Sequence, residues 1–322
     1  MRIIEDEIDL LAIGEILVDL ISTEPAENLQ SACVFRRMQG GSPANLCANL
    51  ARLGGRSALV AKVGNDAFGR YLVGEMAAGG VQSQFIQQDV IHPTSLVFVA
   101  RTVGTPDFQP YRGADCQIEL ADIPFEIFER VRLFHATTWP LSRQPSRDSL
   151  LQALRHAHSL GKSISFDPNY SPKVWPDQAE ARRILAEAYQ YVTITKTSID
   201  DAARLFGEGS QPEEYVRRFH DLGPRIVVFT LGNQGSLVSR DGHVLERLPA
   251  RPLQVVDATG AGDAYWAGFL AAYLDQQPLE RCLRFAREVV EIKLMTLGPL
   301  PANLPRQEIY GRLDQPAASE GA

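Results

Sequence analysis

The chain has 322 residues, of which 45% are hydrophobic and 22% are charged. This composition is typical of a globular protein and excludes a mostly disordered, collagen-like or coiled-coil chain. The formal net charge of −7 disfavours a general nucleic-acid-binding role, because such proteins neutralise phosphates with a surplus of basic side chains.

The N-terminal segment and the cysteines both favour a cytoplasmic location. The first ten residues include Glu5, Asp6, Glu7 and Asp9 and show no basic segment followed by an apolar one, so we expect no signal peptide. No apolar run approaches the ~18 residues of a membrane span. The four cysteines are widely spaced, which predicts buried, reduced thiols without a zinc site or a disulfide framework. We therefore expect a cytoplasmic protein that binds neither membranes nor nucleic acids.

Strand-like and helix-like segments alternate along most of the chain. The predicted strands are residues 8–13, 57–63, 132–135, 163–166, 191–195 and 225–231. The predicted helices are residues 43–53, 69–78, 146–160, 178–189, 199–206 and 212–222. Continuous apolar strands joined by helices are typical of a parallel sheet that is covered on both faces. The pattern predicts an α/β fold with a mostly parallel central sheet.

Two more polar stretches, residues 17–37 and 94–111, interrupt this alternation. Both are strand-like and contain no helix between their strands, and a turn is predicted at residues 104–107. We interpret them as inserted strands that form a small second sheet, the alternative being ordinary long loops. The expected organisation is one domain over residues 1–313, followed by a flexible tail of small and polar residues at 314–322.

A glycine-rich turn, Gly260-Ala261-Gly262, follows an apolar strand-like run that ends at Asp257. Glycines allow bare backbone N–H groups to approach a ligand, and the N terminus of the following helix adds partial positive charge. The turn is therefore a candidate anion site. Asp263 lies in the first turn of that helix, where it could accept a proton from a hydroxyl that attacks phosphorus. The alternative is that Asp263 only caps the helix.

A second glycine pair precedes the first predicted helix. Gly40 and Gly41 permit close backbone approach, Ser42 is the predicted N-cap and Pro43 the predicted first helical residue. Asn45 can both donate and accept hydrogen bonds, which suits a polyol. The alternative is a well-capped helix with no binding role.

A third glycine turn ends a predicted strand, with Thr230, Gly232 and Gly235 at the spacing TxGxxG. Alone this signal is weak, because glycine turns after strands are common. The chain has neither a GxxxxGK[ST] motif nor a GxGxxG motif after a strand, which disfavours the usual P-loop and dinucleotide-binding folds.

Together these segments resemble the ribokinase-like (PfkB) family of carbohydrate kinases. The resemblance rests on four motifs in order: GGSPAN at residues 40–45, DPN at 167–169, TLGNQG at 230–235 and DATGAGD at 257–263. It extends from about residue 8 to residue 300. It implies a three-layer αβα fold with a small β-sheet lid over a sugar site, and transfer of the ATP γ-phosphoryl group to a sugar hydroxyl with Mg²⁺.

The resemblance also implies roles for individual residues. Asp263 is the expected general base, and the backbone of Gly260, Ala261 and Gly262 is the expected anion hole. Asp19, Gly40, Gly41 and Asn45 match the family's sugar-binding positions. Thr230, Gly232 and Gly235 match the nucleotide loop. Asp257 matches a position associated with a monovalent cation such as K⁺ in some members, with a purely structural role as the alternative.

Two further stretches resemble the fructokinase and 2-keto-3-deoxygluconate kinase subgroup. One contains Tyr111 and Arg112, and the other is FDPNYSPKVW at residues 166–175. Arg112 could grip a sugar carboxylate or several hydroxyls, the alternative being a solvated surface residue. Asn169, Lys196 and Ser198 match nucleotide-binding positions. Asp201 stands where the family has a glutamate near Mg²⁺, and its shorter side chain predicts a contact through water.

Ser171 stands where the subgroup usually has arginine, with Lys173 as a partial replacement, and this departure disfavours an acidic substrate. No basic cluster is assigned to a substrate phosphate, which disfavours a phosphofructokinase. The sequence therefore predicts an ATP-dependent hexose kinase with fructose as the first substrate. The alternatives are a kinase of 2-keto-3-deoxygluconate or 5-dehydro-2-deoxygluconate and a catalytically silent member of the fold. The exposed edges of the lid predict a homodimer.

Overall fold

The computed structural model describes residues 7–101 and 107–314. Its strands are β1 (Ile8–Ile13), β2 (Leu17–Pro25), β3 (Phe35–Gly40), β4 (Ser57–Gly64), β5 (Ile86–Asp89), β6 (Leu96–Arg101), β7 (Asp107–Tyr111), β8 (Val131–Thr137), β9 (Ser163–Asp167), β10 (Ile194–Ser198), β11 (Ile226–Thr230), β12 (Ser236–Arg240) and β13 (His243–Leu248). Its α-helices are α1 (Ser42–Arg52), α2 (Ala67–Ala78), α3 (Thr138–Leu141), α4 (Ser146–Ser159), α5 (Gln178–Tyr189), α6 (Ile199–Phe206), α7 (Pro212–Asp221), α8 (Ala261–Leu274), α9 (Leu279–Leu294) and α10 (Arg306–Leu313).

The central sheet has the strand order β13-β12-β11-β10-β9-β8-β1-β4-β5. The seven strands from β11 to β5 run parallel, whereas β12 and β13 are antiparallel additions at one edge. This arrangement confirms the predicted, mostly parallel sheet. Parallel strands all end at one edge of a sheet, and that edge is where open α/β folds bind their ligands.

Helices cover both faces of the central sheet, as a three-layer fold requires. One apolar core contains Leu50 of α1, Trp266 of α8 and Phe285 of α9. The other contains Leu154 of α4, Tyr189 of α5 and Phe219 of α7. Burial of each such large side chain contributes roughly 1.5–3 kcal/mol to folding. The two cores hold the sheet edge and the helix N termini around it in fixed positions.

A separate four-stranded sheet, the lid sheet, has the order β3-β2-β6-β7. Strands β2 and β6 pair in parallel, and the two outer pairs are antiparallel. The sheet confirms that both interrupting stretches are inserted strands rather than loops, although β3 continues to Gly40, beyond the predicted end at residue 37. Most of the predicted turn, residues 104–106, and the tail from 315 onward lie outside the described residues.

The predicted N-cap of α1 and the predicted burial of all four cysteines were wrong. Ser42 is the first residue of α1 and Gly41 is the N-cap, so the Ser42 hydroxyl is free to bond elsewhere. Cys47, Cys116 and Cys282 are buried as predicted, but Cys33 is exposed. Within the two described ranges, no helix combines the length and the apolar character that a bilayer crossing requires.

Candidate active site

The candidate residues meet at the carboxyl edge of the central sheet. Asp167 is the last residue of β9, Ser198 of β10 and Thr230 of β11. The N terminus of α8 lies beside them, because a Cβ atom at Gly262 would be 3.5 Å from the Lys196 Nζ atom. The structure therefore brings together the DPN segment, the strand before α6, the TxGxxG turn and the glycine-rich turn.

Asp263 is held from two sides by helix α1. The Ser42 hydroxyl donates to Oδ1 at 2.7 Å, and the Asn45 amide donates to Oδ2 at 2.8 Å. Burial raises the pKa of Asp263, and the Lys196 ammonium and these two hydrogen bonds offset only part of that rise. A fixed carboxylate with a raised pKa has the orientation and the basicity that a general base needs.

Further side chains extend this network in both directions. The Gln39 amide donates to Asn45 Oδ1 at 2.8 Å, and the Asn169 amide donates to the Ser42 hydroxyl at 2.9 Å. Asn169 has a left-handed backbone with φ of 39°. The predicted sugar residue Asn45 and the predicted nucleotide residue Asn169 are thus linked through Asp263 and Ser42. Each keeps polar atoms that can contact a ligand.

Asp19 lies on β2 of the lid sheet, next to the end of β3. No side chain or backbone group in the described part of the chain donates a hydrogen bond to its carboxylate. Burial and the nearby charge of Asp263 raise the pKa of Asp19 to about 7. A Cβ atom at Gly40 would lie 2.2 Å from Asp19 Oδ2, so only glycine leaves room for this carboxylate. An acceptor without protein donors suits the binding of sugar hydroxyls.

Gly41 and Glu15 fix the turn between the lid sheet and α1. Gly41 has φ of 98°, and a Cβ atom there would lie 2.4 Å from the backbone oxygen of Glu15. The Glu15 carboxyl accepts from the Ser42 N–H at 3.2 Å and from the Thr137 hydroxyl at 3.1 Å. Burial raises the pKa of Glu15 to about 8. Glu15 therefore supports the first turn of α1 that carries Ser42.

Lys196 forms a buried ion pair with Asp167 at the strand ends. Burial lowers the pKa of Lys196, but Asp167, Asp263 and Asp201 raise it more, so the ammonium stays charged. The other carboxylate oxygen of Asp167 is buried and has no hydrogen-bond partner. A fixed cation and an unpaired carboxylate oxygen therefore lie beside the glycine-rich turn.

Asp201 and Ser198 form a reciprocal cap at the start of α6. The Ser198 hydroxyl donates to Asp201 Oδ2 at 2.6 Å, and Tyr170 N–H donates to Oδ1 at 3.0 Å. Both oxygens of Asp201 are thus engaged in the protein, and the residue is buried. The contact with Mg²⁺ through water stays a prediction for Asp201, and the oxygen left unpaired nearby belongs to Asp167. Within the described ranges, no three histidine, cysteine, aspartate or glutamate side chains lie close enough together to hold a metal ion.

A cavity of about 630 Å³ lies on the β11 side of the glycine-rich turn. Thr230, Gly232 and Gly235 line it, together with Ala261 and Gly262. Its remaining wall is largely apolar and includes Leu248, Pro249, Pro252, Leu253, Val255 and Leu294. An apolar cavity beside an anion-binding turn has the character of a nucleotide site.

A second cavity, of about 240 Å³, lies on the lid side of the same turn. Asp19, Asn45 and Gly260 line it. Three arginines are also among its lining residues, namely Arg36 and Arg37 from β3 and Arg52 from α1. The three arginines come from two elements and form the arginine cluster of this cavity. The two cavities meet at Gly260-Ala261-Gly262, directly before Asp263 in the first turn of α8.

Arg112 makes internal contacts instead of lining either cavity. Its side chain is 2% exposed, and its guanidinium donates twice to Asp115 Oδ2, at 2.8 and 2.6 Å. It also donates to the Ser142 hydroxyl and to the backbone oxygen of Trp139, whose ring it overlies at 4.7 Å. Four of its five N–H groups are therefore used within the protein. Tyr111 is largely exposed on β7.

Asp257 lies in the loop before the glycine-rich turn. Burial acts to raise its pKa, but hydrogen bonds from Thr259 and Gly298 and the Lys293 ammonium outweigh burial and lower it.

Lys293 and Ser42 were missed as functional candidates in the sequence. Ser42 stood inside a recognised motif but was interpreted as a cap, whereas Lys293 has no local sequence signal.

Comparisons with known proteins cover nearly the whole chain. A family model described as pfkB family carbohydrate kinase matches residues 7–301. The ATP-dependent 6-phosphofructokinase of Thermoanaerobacterium thermosaccharolyticum is 34% identical over 292 residues, 91% of this chain and 89% of the relative. Fructokinase-1 of Oryza sativa subsp. japonica is 32% identical over 304 residues, covering 91% and 94%. The solved structure of Halothermothrix orenii fructokinase has a TM-score of 0.75 and 35% identity, over 90% of this chain and 99% of that one.

Proposed function

Because the chain belongs to the pfkB family of carbohydrate kinases, we propose that it transfers the γ-phosphoryl group of ATP to a hydroxyl of a hexose, with fructose as the acceptor. The observation that carries the proposal is that Asp263 directly follows the Gly260–Gly262 turn, whose residues line both cavities. Relatives named fructokinase, at about 30% identity and above, support a hexose acceptor. A relative named as an ATP-dependent kinase supports ATP as the donor.

Asp263 acts as the general base in this mechanism. As the sugar oxygen attacks the γ-phosphorus, its proton passes to the Asp263 carboxylate and ADP leaves. Ser42 and Asn45 fix the carboxylate with one hydrogen bond to each oxygen. General-base assistance of this kind contributes about 10²–10⁴-fold to the rate.

The charge that develops on the transferred group meets backbone N–H groups and an ammonium group. Gly260 is the N-cap and Ala261 and Gly262 are the first residues of α8, where the helix dipole adds partial positive charge. Because the Ala261 N–H already donates to the Ala258 backbone oxygen at 3.1 Å, the N–H groups of Gly260 and Gly262 are the proposed donors. The Lys196 ammonium lies next to this turn. Because these groups are fixed before the reaction, they stabilise the transition state without reorganising.

The side chains at the strand ends also fit a hydrated Mg²⁺. Asp167 offers a buried carboxylate oxygen without a partner, and Asp201 contributes a second negative charge close by. Oxygen ligands and retained waters are what Mg²⁺ prefers. When bound, the ion would neutralise phosphate charge on the nucleotide.

Asp19 and Asn45 are the proposed sugar contacts in the smaller cavity. The Asp19 carboxylate accepts from hydroxyls of the acceptor, and the Asn45 amide adds a polar contact beside the base. The internal contacts of Arg112 give no support to a carboxylate-binding role, so the keto-deoxy sugar acids are less well supported than fructose.

A phosphorylated fructose is the second candidate acceptor. The arginine cluster supports it, because Arg36, Arg37 and Arg52 line the cavity that holds Asp19. Arginine is the side chain best suited to bidentate binding of phosphate. One relative is named as a 6-phosphofructokinase. The sequence alone assigns no basic cluster to a substrate phosphate. The three arginines lie on two elements and line one cavity only in the folded chain.

ADP release in a coupled assay separates these possibilities. The wild type is supplied with ATP, Mg²⁺ and one of three acceptors: fructose, fructose 6-phosphate or 2-keto-3-deoxygluconate. We expect turnover on fructose. A kcat/KM for fructose 6-phosphate at least tenfold higher, with a raised KM in Arg52→Gln, would establish the second candidate instead. Sugar binding without ADP release on any acceptor would favour a catalytically silent protein.

We further propose a homodimer that forms through the lid sheet. The outer strands β3 and β7 have unpaired edges within the described chain. Val34, next to β3, is 60% exposed, and Tyr111 on β7 is similarly exposed. Exposed strand edges with apolar side chains favour pairing with a second surface.

A further inference from the structure

The loop before the glycine-rich turn is fastened to the end of α9. The N–H groups of Val256 and Asp257 both donate to the backbone oxygen of Leu294, at 2.8 and 3.2 Å. The Asp257 carboxylate accepts from Thr259 N–H at 2.9 Å and from Gly298 N–H at 3.0 Å. Asp257 thus joins two chain segments that are separated by about 40 residues in sequence.

Lys293 supplies a positive charge at this junction. Its Nζ atom lies 3.0 Å from the backbone oxygen of Asp257 and 3.2 Å from Asp257 Oδ2. The Lys293 side chain is 4% exposed, so its ammonium has exchanged water for these protein oxygens. A carbonyl oxygen and a carboxylate oxygen together form a hard-oxygen ligand set for a cation.

We infer that Lys293 is a built-in counterion that takes the place of the dissociable monovalent cation expected at Asp257. The two oxygens that would ligate K⁺ are already bonded to an ammonium. A second cation at ligand distance from both would lie against Nζ and meet a like charge in a largely buried site. The residues present therefore do not fit K⁺, and the protein works without it.

Lys293 and Asp257 also line the smaller cavity. Towards the glycine-rich turn, Lys293 is a positioning residue, because it acts through the loop. Asp257 lies three residues before Gly260, the residue that precedes the first turn of α8. Neutralising Asp257 and bonding its backbone oxygen keep the loop against α9. The anion-binding N–H groups that follow are held in place as a result.

The wild type gives the first test, in which KCl is compared with tetramethylammonium chloride at equal ionic strength. We expect kcat/KM to agree within about twofold and the melting temperature to be the same in both salts. A tenfold or larger activation by K⁺, or a melting temperature raised specifically by K⁺, would overturn the inference. The kinetic part rests on the proposed kinase function, but the melting temperature does not, so failure of one is distinguishable from failure of the other.

Lys293→Met gives the second test because it removes the charge and keeps most of the volume. The two Asp257 oxygens that lose the ammonium should now accept K⁺. Added KCl should therefore raise the melting temperature of this variant and restore the kcat that the substitution lowers. Lys62→Met is the matched control, because Lys62 also forms a partly buried ion pair, with Asp122, on another part of the fold. It should show no specific response to K⁺. A folded Lys293→Met protein that is indifferent to K⁺ would refute the cation-replacement role, and if the variant does not fold, the wild-type comparison decides.

Discussion

At the scale of single residues, the surroundings of Asp263 determine the chemistry of its carboxylate. Its carboxylate is half-buried in the first turn of α8 and has one hydrogen bond on each oxygen, both from α1. The two bonds fix its direction, and burial with incomplete compensation raises its pKa. A surface aspartate in the same sequence motif would have neither property.

Asp263→Asn tests the role of this carboxylate as a base. The amide keeps the size and an acceptor oxygen but cannot take the hydroxyl proton, so we expect kcat to fall by about 10²–10⁴-fold. Sugar affinity, measured by calorimetry, should change by less than tenfold because Asp19 and Asn45 remain. A variant with near wild-type kcat would remove Asp263 from the mechanism.

Ser42→Ala tests the hydrogen bond that stabilises the charged form of Asp263. Removal of this donor should raise the pKa of Asp263 further, because the Ser42 hydrogen bond is one of the contacts that lower it. Because the base must be deprotonated, kcat falls towards acid pH, and this acid limb should move to higher pH in the variant. Steady-state kcat between pH 5 and 9 measures the shift. An acid limb that stays in place, with kcat lowered equally at every pH, would contradict the assigned effect.

The sequence predicted the members of the site better than their contacts. Asp263, Asn45 and Asn169 belong to recognisable motifs and Asp19 stands at a position that matches the family, and the fold brings the four together. Serine before a helical proline predicts a cap at Ser42, and only the tertiary structure shows that its hydroxyl donates to Asp263. The arginine cluster could not be predicted from the sequence, because its three residues lie on two elements and line the same cavity only in the folded chain.

At the scale of secondary-structure elements, the turn between β3 and α1 connects the lid sheet, the proposed sugar site and the helix that holds the proposed general base. Gly40 ends β3 opposite Leu17 of β2, and α1 begins two residues later. The same turn therefore sets the space around Asp19 and the start of the helix that holds Asp263. A change in its backbone is expected to affect sugar binding and catalysis together.

Gly40→Ala tests this coupling. The new methyl group would meet Asp19 Oδ2 at 2.2 Å, so the carboxylate or the β2–β3 pair must shift. Overpacking of this kind costs about 1–3 kcal/mol, and we expect KM for the sugar to rise at least tenfold. Gly74→Ala is the control, since a Cβ atom on this α2 residue meets nothing within 4 Å. The control should keep the wild-type KM and gain up to ~1 kcal/mol of stability.

Two helices with a clear apolar pattern were predicted with the observed bounds, whereas a short strand without an apolar pattern was missed. Residues 178–189 and 199–206 were predicted as the helices that are observed. The strand predicted at 191–195 begins instead at Ile194, because Tyr191 and Val192 still bond back to the last turn of α5. Strand β5 was missed because its four residues, IQQD, have no apolar run and depend on pairing with β4.

At the scale of the whole molecule, the proposed dimer would bury the edges of the lid sheet. We expect sedimentation at micromolar concentration to give about twice the 35.5 kDa chain mass. Val34→Glu should weaken the dimer, because it places a charge on the exposed side chain next to β3. A wild type that sediments as a monomer across this concentration range would rule the dimer out.

Buried titratable groups make the stability of the whole molecule depend on pH. Glu15 has a pKa raised to about 8 and Asp19 to about 7, from ordinary values of 4.5 and 3.8. Each therefore binds more protons in the folded state than in the unfolded state, so folding loses free energy as pH rises through this range. Buried His135, with its pKa lowered from 6.5 to about 3, acts oppositely but only below about pH 6.5.

The free energy of unfolding should therefore fall between about pH 6.5 and 8. One such group contributes a slope of about 1.4 kcal/mol per pH unit while it is protonated in the folded state and ionised in the unfolded state. Urea unfolding at several pH values measures the slope, and Glu15→Gln should reduce it because the amide does not titrate. A wild-type free energy that stays level or rises over this interval would mean that Glu15 is ionised in the folded protein. The acceptor contacts to Ser42 and Thr137 would then have to stabilise a buried negative charge beside the base.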